Sequence, residues 1–160
     1  MTRNIVLKAY KRMTILRRLI EFKVDEKDML KIYVLFIRST LEQSSVVWSS
    51  SLTQQEENSL ERVQKIALRI IYQEKYISYK NALKLSKFTS MKERFELLLY
   101  RFAVKCAKNP QTEHMLPLKK GLDKVRKKET YEVPLARKER LYKSTIPTMA
   151  RLLNKNPNFK

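Results

Sequence analysis

The first 108 residues contain no glycine and no proline; Gly121 and the five prolines (Pro110, Pro117, Pro134, Pro147, Pro157) all fall beyond them. A stretch that long, rich in Leu, Lys, Arg and Glu and free of both helix-interrupting residues, is built for helices. The expected fold is therefore all-α. A helical bundle of about five helices spans 1–108, and a basic, proline-punctuated extended tail with a short C-terminal helix spans 109–160.

Apolar periodicity places the helices. The first covers about 4–22, with Ile5, Ala9, Met13, Leu16 and Ile20 on one stripe. Asp25 is placed to cap a second helix over 26–42. Met29, Leu30, Ile32, Tyr33, Val34, Phe36, Ile37 and Leu41 make that helix apolar nearly all round, so it is expected at the buried centre. Thr53 with Glu56 spells a capping box for a third helix over 54–73, whose inward stripe is Leu60, Val63, Ala67, Ile70 and Ile71. Ser78 caps a short fourth helix to Leu85. Ser90 with Glu93 opens a fifth, to about Lys108, with Met91, Phe95, Leu98, Phe102 and Cys106 inward. Trp48, in Val46–Leu52, is expected to pack at the joint between helices two and three.

Thirty-five Lys and Arg against sixteen Asp and Glu leave 160 residues with a formal net charge of +19. The excess is patterned. Residues 25–75 carry seven bases and eight acids, whereas 1–24 carry seven and one, 76–108 eight and two, and 109–160 thirteen and five. Such a field attracts polyanions, and clustered Lys and Arg are the footprint of nucleic-acid binding. Catalytic hardware is scarce. With one Cys (Cys106) and one His (His114), neither a zinc site of about four ligands nor a disulfide can form within the chain. One glycine rules out a phosphate-cradling loop. Asp25 and Asp28 read as a helix start and Asp123 stands among lysines, leaving no convergent acids for two-metal chemistry. Cys106 reads as core and His114 as a solvated loop residue. No apolar run nears the roughly 18 residues that cross a bilayer. The acid-poor segment before Glu21 has the flavour of a mitochondrial presequence, but it is read as an ordinary first helix. The expectation is an intracellular chain, nuclear or cytoplasmic, that holds something acidic and carries no cofactor.

Three basic groups are candidate phosphate contacts. Lys8, Lys11, Arg12 and Arg18 surround the polar side of the first helix, with Arg3 and Arg17 further round. Arg62, Lys65 and Arg69 lie opposite the inward stripe of the third. Lys119, Lys120, Lys124, Arg126, Lys127 and Lys128 crowd ten residues of the tail. Each group reads either as a solvated face or as a phosphate-binding ridge. Tyr72, Tyr76 and Tyr79, interleaved with Lys75 and Lys80, read as packed rings or as stacking platforms.

Leu30-Lys31-Ile32-Tyr33-Val34-Leu35-Phe36-Ile37-Arg38-Ser39-Thr40-Leu41-Glu42, then Val47-Trp48, then Leu60-Glu61-Arg62-Val63-Gln64-Lys65 and Ala67-Leu68-Arg69-Ile70-Ile71, form an ordered series. It resembles the C-terminal part of non-LTR retrotransposon reverse transcriptases of the jockey-like and related LINE type. Helix Tyr79–Leu85, Lys92-Glu93-Arg94, Ser144-Thr145-Ile146-Pro147 and Leu152-Leu153-Asn154 continue the likeness over nearly the whole chain. The resemblance implies the thumb and post-palm region of an RNA-directed DNA polymerase, binding RNA or an RNA–DNA hybrid and adjoining an upstream palm. That family's paired aspartates and metal ions belong to the palm and are not in this sequence, so the chain is not expected to be an enzyme by itself. The sequence departs from the family at Thr40 and Gln43, where a proline and an aromatic are common, and lacks the Cys/His cluster of some relatives. A rival expectation is a helical interaction module that docks on an acidic partner or on the polymerase core and exposes an apolar patch. A third is the product of a decayed reading frame.

Overall fold

Asp25, Thr53, Ser78 and Ser90 each end an irregular stretch with a side-chain oxygen that accepts from the backbone N–H two or three residues on. Those bonds satisfy donors that a helix start leaves unpaired. Thr53 and Ser90 are complete capping boxes, since Glu56 and Glu93 reach back to the Thr53 and Ser90 amides at 3.0 Å each. The computed structural model describes residues 2–119 and 130–155. The chain is all-α. Its helices run α1 (Thr2–Glu21), α2 (Glu26–Ile32), a π-helical segment (Tyr33–Arg38), α3 (Ser39–Glu42), α4 (Ser45–Trp48), α5 (Gln54–Tyr72), α6 (Tyr79–Ser86), α7 (Met91–Lys108), α8 (Glu139–Tyr142) and α9 (Thr145–Lys155).

Helices must stop as well as start, and this chain stops them without glycine. Lys23 and Lys87 take left-handed backbone, φ 53° and 57°. The next amide then returns to a carbonyl five residues back: Val24 to Leu19 at 3.2 Å, Phe88 to Leu83 at 3.0 Å. This is the usual helix-ending hydrogen-bond pattern, with lysine at the position glycine normally fills.

The chain packs as two compact units, Met1–Gln43 with Leu52–Arg94, and Ser44–Ser51 with Phe95–Lys160. In the first, α1 and α5 run parallel: Thr2 Oγ1 donates to Glu56 Oε1 at 2.8 Å near one end, while Ile20 and Tyr72 line one cavity of about 450 Å³ at the other. Ile5, Ala9, Met13 and Leu16 of α1 and Leu60, Val63, Ala67, Leu68 and Ile71 of α5 are buried. Burial of that kind contributes about 25 cal/mol per Å² of apolar surface, and so outweighs weak helix propensity.

Three stripes differ from the sequence reading, the α5 one in that Ile70 is half-buried while Leu68 and Gln64 are sealed. The segment 26–42 is not buried all round. Met29, Tyr33, Ile37, Thr40 and Leu41 face the core, whereas Val34, Leu35 and Phe36 are exposed. On α7 the buried set is Met91, Phe95, Leu99, Tyr100, Ala103 and Cys106, with Leu98 half-buried and Phe102 37% exposed. The reason lies in the second unit, where Leu99, Tyr100, Ala103 and Cys106 pack with Leu116, Met149, Ala150 and Leu153. A partner so distant in sequence rotates the buried face without leaving a local trace.

In that unit the Trp48 ring meets Phe95 edge-on at 5.4 Å, and Thr145 Oγ1 donates to the Val47 carbonyl at 2.8 Å. Asn154 closes two bonds on one residue. Its amide donates to the Tyr131 carbonyl and its oxygen accepts from the Tyr131 N–H, both at 2.9 Å. Leu118 and Tyr131 form a single antiparallel bridge. Cys106 is buried and His114 is exposed.

Candidate nucleic-acid interface

The capping box fixes where α5 begins, and its buried stripe fixes how it is turned. Arg62, Lys65 and Arg69 consequently point to solvent. Among the described residues none of the three meets a carboxylate. Seven residues of helix span about 10.5 Å, roughly three nucleotide steps along one strand. The row can therefore neutralise phosphates without first giving up internal ion pairs.

The basic residues of α1 do not form one face. Arg12 Nη1 donates to the Phe36 carbonyl at 2.7 Å and also to Thr40 Oγ1, so the flank carrying Arg12 looks toward the Tyr33–Glu42 segment. Lys8, four residues earlier, shares that flank, whereas Lys11 and Arg18, about 100° and 120° around from Arg12, lie on the outward face of α1. All three are exposed. Arg3, Tyr10 and Arg17 occupy the opposite flank, 140° to 180° around from Arg12 at 3.6 residues per turn. That flank is the one on the α5 side of α1. Arg3 and Arg17 are exposed and Tyr10 is half-buried. The structure thus separates Lys8 and Arg12 from Arg62, Lys65 and Arg69. Arg3 and Arg17 are the α1 cations on the α5 side, and the period measured from Arg12 is the signal that finds them.

In the tail, Lys119 is exposed, and its amide donates to the Thr130 carbonyl at 3.0 Å. Lys120, Lys124, Arg126, Lys127 and Lys128 lie outside the described residues. The tyrosines between α5 and α6 are packed. Tyr72 is buried beside Leu68 and Ala82, and the Tyr79 hydroxyl donates to Glu61 while accepting from Gln64 Nε2 at 2.9 Å. Burial, then the Glu61 carboxylate, pushes the Tyr79 phenol far above its ordinary range.

Below the cationic row lies a polar network that periodicity does not announce. Gln64 is fully buried; it accepts from the Tyr33 hydroxyl at 2.9 Å and donates to the Thr89 carbonyl at 2.9 Å. Glu61 Oε2 accepts from the Met91 amide at 2.8 Å, placing a carboxylate at the start of α7. One turn of α5 therefore presents Arg62 and Lys65 outward while Glu61 and Gln64 tie it to three neighbouring segments.

Among the described residues no three His, Cys, Asp or Glu side chains come together to hold a metal ion, and no helix is long and apolar enough to cross a membrane. No protein family, curated protein or solved structure matches the chain.

Proposed function

We infer that the chain is a non-catalytic, all-α nucleic-acid-binding segment of a mobile-element RNA-directed DNA polymerase, gripping template–primer through phosphates. The resemblance to the C-terminal region of non-LTR retrotransposon reverse transcriptases supplies the context. The observation that carries the binding mode is the row Arg62, Lys65 and Arg69, exposed and unpaired, on a helix whose opposite face is locked into the core. Arg3 and Arg17, exposed on the α5 side of the parallel helix α1, add two further cations to this reading. Phosphate contacts of this kind set position without reading base sequence.

Polymerisation itself belongs to an upstream palm in this reading, and the preferred ligand is RNA or an RNA–DNA hybrid. The test is a binding titration of an unrelated-sequence duplex across salt. About six contacts give a log–log slope near −5. A flat salt response discards the reading.

A further inference from the structure

We propose a second surface, on the other side of the first unit, that receives an acidic amphipathic helix from a partner protein. Val34, Leu35 and Phe36 are three consecutive apolar residues, 36%, 66% and 51% exposed. They sit on the π-helical segment Tyr33–Arg38, a wider turn of a kind frequent at functional sites. Beside Phe36 runs the α1 flank marked by Arg12. One turn on from Arg12 along that flank, Ile15 is 40% exposed, a further exposed apolar side chain on the helix that Arg12 ties to Phe36.

The surface is preformed. The Arg12 guanidinium holds the Phe36 carbonyl and Thr40 Oγ1, and Tyr33 and Ile37 are buried beneath. Its border is cationic: Lys8, Lys11 and Arg18 are exposed and, among the described residues, have no carboxylate partner. An exposed apolar patch edged by cations accepts the apolar face of an amphipathic helix. A cationic border along α1, with the exposed Asp28 two turns before Leu35 already paired to Lys31, favours an acidic partner. Apolar anchors at i, i+3 and i+7 flanked by Glu satisfy both conditions. A sugar–phosphate chain offers nothing to bury against Leu35 and Phe36, and a second copy of this basic chain would repel the same border.

The test uses the full chain and a fluorescent synthetic helix of Leu anchors at i, i+3 and i+7 with Glu between them. Anisotropy is expected to report binding. Leu35→Ser with Phe36→Ser, and separately Lys8→Glu with Lys11→Glu and Arg18→Glu, are each expected to weaken it at least tenfold with helicity unchanged. Arg62→Glu with Lys65→Glu and Arg69→Glu is expected to leave it intact, which separates this surface from the nucleic-acid row. No binding overturns the proposal. So does displacement of the peptide by a short duplex on the unmutated chain, or self-association of the chain that Leu35→Ser with Phe36→Ser abolishes.

Discussion

The Tyr33 hydroxyl donates to Gln64 Oε1 at 2.9 Å inside the first unit, where both residues are fully buried. Buried polar groups that are paired specify an arrangement; one left unpaired costs far more than the bond contributed. Gln64→Leu strands the Tyr33 hydroxyl and removes the donors to Tyr79 and Thr89. It is expected to lower unfolding free energy by about 1–3 kcal/mol, read from the midpoint of a denaturant melt.

The same network sets an alkaline limit. Burial, foremost, pushes the Tyr33 phenol above the usual tyrosine range, and burial with the Glu61 bond does so for Tyr79. A group with a raised folded value keeps its proton where the unfolded chain has lost it. Stability is therefore full below the ordinary phenol value near 10 and falls as pH rises beyond it. Absorbance at 295 nm should show these two rings ionising together with loss of helicity, not before.

Glu42 sets the acid limit. Burial alone would raise its carboxyl, but Arg94 and Arg38, each with Nε at 2.7 Å from Oε1, outweigh burial and hold it below the ordinary carboxylate value. Its contribution is full above the unfolded value near 4.3 and is lost as pH falls through the lower folded one. Glu42→Gln is expected to cost about 1–2 kcal/mol at neutral pH, and to flatten the acid side of a stability–pH profile.

Lys87 ends α6 with left-handed backbone that a Cβ disfavours. Lys87→Gly relieves that and loosens the unfolded chain, so the net gain is about 0.5–1 kcal/mol, seen as a higher thermal midpoint. Unchanged or lower stability contradicts the assignment of Lys87 as the helix-ending residue.

Helix starts were legible because capping is local. Asp25, Thr53 with Glu56, Ser78, and Ser90 with Glu93 each act within three residues of themselves. What composition could not reveal was which apolar side chains find a partner. Val34 and Phe36 belong to the set expected at the buried centre and are exposed, as is Leu35, while Gln64, polar by type, is sealed. The α7 stripe shifted from Leu98 and Phe102 to Leu99, Tyr100 and Ala103 through packing with Met149 and Leu153, some fifty residues on. Of the candidate site, the outward row on α5 followed from its period. The separation of Arg12 from that row depends on Phe36 and Thr40, which only the tertiary fold brings to it. Within Leu60-Glu61-Arg62-Val63-Gln64, Leu60, Val63 and Gln64 are buried, Glu61 is half-buried in the network and Arg62 is exposed.

The most direct measurement is the affinity of the full chain for an RNA–DNA hybrid before and after Arg62→Glu, Lys65→Glu and Arg69→Glu together, with circular dichroism run alongside. Binding should weaken at least tenfold, with the salt slope shallower by about three and helicity retained. Unchanged affinity with intact helicity would remove α5 from the interface and contradict the account.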